Sequence, residues 1–265
     1  MSDVDTTTLP VTTSEPVTRK KKRLDRETAL LLFGLPLVVA VVLGGWVAWR
    51  LTADLDSIET RQLAWSTVGA LAWQHVKISL VATAFVLLTA IPLGIAMTRP
   101  RLRRFAPLVV GLGNMGQAAP AIGLVVLLAI WLGFGFWTGV LALALYGALP
   151  VLRNTIVGLD GVDATLVEAG RGMGMSGRAV LLRIELPLAV PVIMSGVRTA
   201  LVLVVGTATF ATFINAGGLG SLITTGVTLF RYSILVSGAL LVALLALIVE
   251  WAGRVLEALA RPKGL

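Results

Sequence analysis

The sequence predicts an all-α integral membrane protein with about six transmembrane helices. Hydrophobic residues occupy 57% of the 265 positions and charged residues only 14%, whereas soluble domains average about 25% charged residues. Several apolar runs reach about 20 residues, the length that an α-helix needs to cross a hydrocarbon core of roughly 30 Å. The chain has no cysteine and a single histidine. Because ligand and acid–base side chains are so scarce, we predict neither a catalytic residue nor a metal site.

The hydrophobic runs divide the chain into six spans. In order, they cover residues 30–49, 76–97, 106–132, 136–157, 190–214 and 234–251. The only histidine, His75, is expected at the outer end of the second span as an interfacial residue. Glu250 and Arg254 lie four residues apart on the sixth span, which is the spacing of an intrahelical ion pair. No internal repeat is visible, which argues against the inverted-repeat architecture of many secondary transporters.

Three residues interrupt the third span. Asn114 and Gln117 are three apart and therefore share one helix face. An unpaired amide inside a bilayer costs several kcal/mol, so both must face protein or a water-filled path. Lining of a translocation path and packing between helices remain equal alternatives. Pro120 removes an intrahelical hydrogen bond, and we expect it to break the span beside the path.

Basic residues are distributed unevenly between the two sides of the predicted membrane. Sixteen Lys and Arg residues lie on one side, in segments 1–27, 98–105, 158–188 and 252–265. Two lie on the other side, in segments 51–70, 133–136 and 214–233. Because basic residues are retained inside the cell, we predict a multi-pass protein of the cell membrane with both termini in the cytoplasm. The basic run at 19–23 then anchors the chain at the membrane, and no nucleic-acid partner is expected.

A polar stretch between the fourth and fifth spans, residues 163–187, predicts a compact structure that we call the knob. Asp163 can cap the first of two short helices with its carboxylate. Gly174 can end that helix in a left-handed conformation. Ser176 can cap the second helix, which Pro187 is expected to stop because proline lacks a backbone N–H.

The knob resembles the EAA loop of the permease subunits of ABC-type importers. The matching residues are Glu168, Ala169, Gly170, Gly174, Ile184, Leu186 and Pro187. Gly170 stands where the family usually has alanine, and a glycine within a helix costs about 1 kcal/mol relative to alanine. The resemblance implies a type I, methionine-permease-like transmembrane domain. It also implies that helix 164–173, capped by Asp163, is a coupling helix that docks on a separate ATPase subunit.

Other stretches resemble the branch of these permeases that imports glycine betaine, carnitine, choline and related osmoprotectants. They are residues 114–120, 149–155, 206–209 and 216–220. The resemblance implies that Thr207, Thr209 and Phe210 line the path and the interface between two permeases, with tight packing inside one subunit as the alternative. Gly217 and Gly218 turn the chain at the outer mouth, either as a gate hinge or as a plain flexible turn.

Composition and hydrophobic runs predict a domain order, and the resemblance, which covers about residues 75–257, implies a set of partners. The order is a disordered basic tail (1–27), a first transmembrane helix with an outer loop (28–70), a permease core (71–258) containing the coupling loop (158–188), and a cytoplasmic tail (259–265). ATP and Mg would be bound by the partner ATPase, since this chain has no phosphate-binding loop and no cofactor of its own. A second permease, identical or related, and an external solute-binding protein would complete the transporter. The alternatives are a permease for another small zwitterion, such as an amino acid, and a stand-alone secondary transporter.

Overall fold

The computed structural model describes residues 33–260, without the side chains of Leu259 and Ala260, and this range contains helices and no strand. Its first half consists of α1 (Leu35–Thr52), α2 (Ser57–Gln62), α3 (Trp65–Met97), α4 (Ala106–Ala118), α5 (Ala121–Leu132) and α6 (Phe136–Asp160). Its second half consists of α7 (Ala164–Gly172), α8 (Gly177–Val180), α9 (Leu186–Thr207), α10 (Gly220–Thr228) and α11 (Tyr232–Ala260). Short turns of 3-10 helix lie at Arg103–Phe105 and Ala208–Ile214, and a π turn lies at Leu181–Glu185. The predicted tail 1–27, the start of the first span and residues 261–265 fall outside the described range.

Five helical segments in the described range are long and apolar enough to cross a membrane. They are Leu35–Thr52, Trp65–Met97, Phe136–Asp160, Gly177–Ile214 and Tyr232–Ala258. The bent pair that contains α4 and α5 provides a sixth span if its two halves are counted together. The prediction of an all-α membrane protein with about six spans is therefore confirmed.

Helix α3 begins well before the predicted start of the second span. It runs from Trp65 to Met97, a length of 33 residues or about 50 Å at 1.5 Å per residue. No proline interrupts residues 65–75, so the helix continues past the residue where the most apolar run begins. The segment between the first two spans is correspondingly shorter than predicted, and the capped helix α2 occupies part of it.

The third span is broken at the predicted residue. α4 ends at Ala118, α5 begins at Ala121, and the two halves are bent by 98°. Pro120 lies at the N-cap of α5 with an extended ψ of 127°. The missing N–H of proline is harmless at the start of a helix but disruptive inside one, which explains why the chain turns here.

The prediction that Pro187 stops the second helix of the knob is wrong. The chain is helical without interruption from Gly177 to Ile214, and Pro187 occupies the first turn of α9. Inside a continuous helix, proline removes one hydrogen bond and its ring clashes with a preceding carbonyl, so the helix must adjust locally. The wider π turn at Leu181–Glu185 directly precedes it, and π segments are a recognised way to accommodate a local disruption in a helix.

The centre of the bundle is formed by α3, α6 and α9. Buried residues from all three helices meet there, including Val86, Val151 and Ala200. Gly147 lies at the contact between α6 and α9, where an added Cβ would lie 2.7 Å from Cγ2 of Val204. Small residues of this kind allow helix backbones to approach closely in membranes. A second cluster, which includes Trp46, packs α1 against α10 and α11 at the side of the bundle.

Candidate functional site

The knob has the caps that the sequence predicts. The carboxylate of Asp163 accepts a 2.8 Å hydrogen bond from the backbone N–H of Thr165. That bond, followed by one from the Thr165 side chain, lowers the pKa of Asp163 below its ordinary value. The cap therefore stays charged at neutral pH and is lost only as the pH falls through this lowered pKa. Gly174 has a φ of +81°, the left-handed conformation that ends α7, and the Ser176 hydroxyl accepts from the Ala179 N–H at 3.3 Å.

The knob has a packed interior and an exposed outer surface. Gly170 is buried, and an added Cβ would lie 2.6 Å from Cδ1 of Ile184. The departure from alanine at this position thus makes room for Ile184. On the outside, Glu168 and Ala169 are exposed. Exposed apolar side chains also lie on the knob, namely Leu166, Met173 and Leu182. An exposed surface of this mixed character is typical of a protein interaction site.

A partly buried ion pair attaches the knob to the core. Glu185, in the π turn, is only 7% exposed, and its carboxylate receives both terminal nitrogens of Arg99, which follows the end of α3. The two residues are 86 positions apart, so the contact is tertiary and was not predicted. The only signal in the sequence is an acid at the end of the knob and an arginine-rich turn at 99–104. We refer to this end of the bundle as the arginine-rich end.

A second group of ion pairs lies between α9 and α11. Glu250 and Arg254 form the predicted intrahelical pair at 2.7 Å. Arg198 of α9 adds contacts to Glu250 at 3.7 Å and to Glu257 at 3.0 Å. The network holds the two helices together by charge-assisted hydrogen bonds, and the part played by Arg198 was not predicted from the sequence.

The two amides of the third span have different environments. Gln117 donates from Nε2 to the backbone carbonyl of Tyr146 at 2.8 Å. That carbonyl lies four residues before Pro150, whose missing N–H would otherwise have been its partner in α6. Gln117 therefore satisfies an acceptor that proline leaves unpaired, which is a packing role. Asn114 is exposed on this subunit and lacks any such contact in the described residues.

We expect Gln117→Leu to lower the thermal stability of the purified protein in detergent. Leucine leaves the carbonyl of Tyr146 without a donor, and an unsatisfied buried polar group costs roughly 1–3 kcal/mol. Asn114→Leu is the matched control one turn earlier, and it should leave the melting temperature within experimental error. Equal melting temperatures for the two variants would contradict the packing role of Gln117.

Gln117 also lines an open cleft of about 410 Å³. The other residues that line this cleft belong to α6 and are Leu149, Pro150, Arg153, Asn154 and Val157.

The predicted path residues of the fifth span do not line this cleft. Thr207 donates to the carbonyl of Leu203 in its own helix at 2.7 Å, and Phe210 packs against a separate buried cluster that includes Val125. Thr209 is half-buried, close to Gly220.

The glycine-rich loop at the opposite end of the bundle is tied to α3. Gly217 and Gly218 have positive φ angles of +81° and +102°. The side-chain oxygen of Gln74 accepts from the Gly218 N–H at 3.2 Å. His75 is fully buried, accepts from the Leu219 N–H through Nδ1 at 3.2 Å, and lies 2.9 Å from a second backbone group through Nε2.

The expectation that His75 lies at the end of its helix is therefore wrong, and the side chain is buried inside the protein. The early start of α3 at Trp65 places position 75 nearly three turns inside the helix rather than at its end. Because Nδ1 accepts a hydrogen bond, the neutral ring carries its proton on Nε2 and donates to the carbonyl of Val205. The histidine thus joins α3, α9 and the glycine-rich loop, and a gate function for that loop stays a prediction.

The helical bundle, the broken span and the knob together define the transmembrane subunit of a transporter. A family model described as binding-protein-dependent transport system inner membrane component matches residues 90–262. The chain is 39% identical over 192 residues to the glycine betaine/carnitine/choline transport system permease protein OpuCB of Bacillus subtilis, covering 72% of this chain and 88% of that protein. It is 35% identical over 227 residues to the osmoprotectant import permease protein OsmY of Salmonella typhimurium, covering 84% and 94%.

The fold is shared with a solved permease. A chain from an inward-facing structure of the MetNI methionine ABC transporter matches with a TM-score of 0.66 and 20% identity, covering 74% of this chain and 96% of that one. The protein described here belongs to the family of binding-protein-dependent inner membrane permeases, which are subunits of ABC importers. It is an integral membrane protein and a transport subunit rather than an enzyme.

Proposed function

We propose that this permease carries quaternary-ammonium osmoprotectants of the glycine betaine, carnitine and choline type into the cytoplasm. The observation that carries the proposal is the similarity to OpuCB and OsmY, which extends over most of both chains. The lining of the cleft suits the zwitterions glycine betaine and carnitine better than the cation choline, because it consists of amide and apolar groups with one arginine and no carboxylate.

Energy would come from a separate ATPase that binds ATP and Mg and docks on the exposed side of the knob. Two features support this role. The outer surface of the knob presents Glu168, Ala169 and apolar side chains, and the Arg99–Glu185 pair connects the knob to α3. Movement of the ATPase would shift the knob, and the ion pair would transmit this movement to the bundle. The uneven distribution of Lys and Arg supports a cytoplasmic position for the knob and for both termini.

A second permease, identical or related, would face this one across the path, and an external binding protein would deliver the solute. Gly217 and Gly218 would lie at the outer mouth. Asn114, exposed on the isolated subunit, would face the water-filled path or the second subunit, since an unpaired amide facing lipid is costly.

Uptake of labelled glycine betaine, carnitine and choline tests the proposed cargo. We expect uptake of at least one of the three in complemented cells at high osmolarity, and only background uptake in cells that lack this chain. Deletion of the ATPase or the binding protein should abolish the same activity. Equal uptake of all three solutes in both strains, with an amino acid restored by complementation, would assign the permease to another small zwitterion.

A further inference from the structure

The cleft between α4 and α6 contains a cation without a partner. Arg153 lines it together with the amide residues Gln117 and Asn154. Arg153 is exposed, and neither it nor Asn154 has an ion-pair or hydrogen-bond partner in the part of the chain that the structure describes. We infer that this cleft is a carboxylate-binding site on the translocation path, in which Arg153 holds the acidic end of a zwitterionic solute. The inference rests on the proposed function and adds a specificity-determining residue to it.

The position of Arg153 in the chain requires a polar environment. It belongs to the apolar helix α6 and lies seven residues, or about 10 Å, before the end of that helix. Charged side chains within a span are costly when they face lipid, and they almost always face the bundle interior or a water-filled cavity. The nearest acid along the helix, Asp160, already pairs with Arg103 at 3.5 Å. The charge of Arg153 is thus available to an anion that enters the cleft.

The neighbouring amide is held in position by α9. An added Cβ on Gly196 would lie 2.6 Å from Cβ and 2.7 Å from Nδ2 of Asn154. The backbone of α9 therefore packs directly against this side chain, which a larger residue at position 196 would displace. A guanidinium fork beside a positioned amide offers several N–H donors to one carboxylate. Gln117 has already used one N–H on the Tyr146 carbonyl, so it contributes the wall of the site rather than its main donors.

The site separates the candidate cargoes by chemistry. Glycine betaine and carnitine carry a carboxylate, which Arg153 can bind, and a quaternary ammonium, which needs no hydrogen-bond partner. Choline has the ammonium but no carboxylate, so it gains nothing from Arg153 and is repelled by its charge. The cleft residues include no Asp or Glu that would reverse this preference. Its volume of about 410 Å³ lies in the range of small-molecule sites, roughly 300–1,000 Å³.

A lipid phosphate is the other anion within reach of Arg153. Long basic side chains near helix ends extend to the membrane surface and bind headgroups there. A lipid anchor would support the fold and hence the transport of every cargo equally. A carboxylate site changes the transport of carboxylated cargoes alone, so the ratio between cargoes distinguishes the two.

The test is uptake of labelled glycine betaine, carnitine and choline by cells that express the wild type, R153Q, R153K or the control R101Q, with the native ATPase and binding protein. Arg101 is exposed and has no partner among the described residues, and it lies outside the cleft. We expect R153Q to lower uptake of the two carboxylated solutes about tenfold, as for loss of a charge-assisted hydrogen bond. Choline uptake should change less than about twofold, R153K should be intermediate, and R101Q should match the wild type.

Four outcomes overturn the inference. Equal loss of all three activities in R153Q assigns Arg153 to a lipid or structural contact, and unchanged uptake of the carboxylated solutes removes it from the path. A wild-type protein that takes up choline but neither carboxylated solute likewise contradicts a carboxylate site. If the wild type carries none of the three solutes, the proposed function itself fails and the inference falls with it. Membrane abundance of each variant, measured by immunoblot, separates a transport defect from a loss of protein.

Discussion

Replacing Arg99 by glutamine is expected to reduce ATP-driven solute uptake at least about tenfold. The substitution leaves the Glu185 carboxylate, which is 7% exposed, without its cationic partner. Removing one member of a fully buried pair costs about 3–5 kcal/mol. The Arg99 side chain is 35% exposed, so we expect a smaller cost, roughly 1–3 kcal/mol. Each 1.4 kcal/mol changes an equilibrium constant about tenfold, so this cost is enough to detach the knob from α3.

The matched control for Arg99 lies two residues further on. Arg101→Gln removes the same charge from the same turn, where the side chain is exposed, and uptake should stay within about twofold of the wild type. The double variant Arg99→Gln/Glu185→Gln should recover part of the activity, because it leaves no buried charge unpaired. Uptake by Arg99→Gln equal to that by Arg101→Gln would show that the ion pair has no part in transmission.

Gly174→Val is the second substitution with a large expected effect on uptake. Gly174 has a φ of +81°, and no atom lies within 4 Å of a Cβ built there. The cost of valine is therefore backbone strain alone, about 1–2 kcal/mol for an L-residue in the left-handed region and more for a β-branched one. The chain should relieve this strain by changing the angle between α7 and α8. We expect uptake to fall about tenfold while membrane abundance stays normal.

Gly172 provides the control for this change. It also has nothing within 4 Å of an added Cβ, but its φ lies outside the left-handed region and it belongs to α7. Valine is a better helix former than glycine, so Gly172→Val adds the same side chain without backbone strain, and its uptake should exceed that of Gly174→Val. ATP-driven uptake is measured for both variants in proteoliposomes that contain the purified ATPase. Normal ATP-driven uptake by Gly174→Val would show that the turn of the knob has no role in coupling.

Features set by local chemistry could be predicted from the sequence. The cap at Asp163 and the left-handed Gly174 depend on residues within a few positions of each other. The break at Pro120 follows from a missing N–H, and the Glu250–Arg254 pair follows from helix spacing. In each case the interacting groups lie a few residues apart, so the spacing of residues in the sequence is enough to predict the contact.

Features set by tertiary packing could not be predicted. The role of Gln117 depends on Tyr146, 29 positions away, and only the structure shows that Pro150 has freed that carbonyl. His75 lies inside α3 because this helix begins earlier than hydropathy indicates, and contacts with α9 and the glycine-rich loop bury it. Pro187 lies within a continuous helix directly after a π turn, and hydropathy and local propensity do not identify such turns. The Arg99–Glu185 contact likewise required the approach of two distant segments.

ATP-driven uptake by the complete transporter in proteoliposomes tests the central claim most directly. The permease, its ATPase and its binding protein are reconstituted with labelled glycine betaine outside, and ATP and Mg are supplied to the ATPase. We expect accumulation against the gradient only when all components and hydrolysable ATP are present, and no change when ionophores collapse the ion gradients. Accumulation by this chain alone, driven by an ion gradient and indifferent to ATP, would contradict the account and identify a secondary transporter.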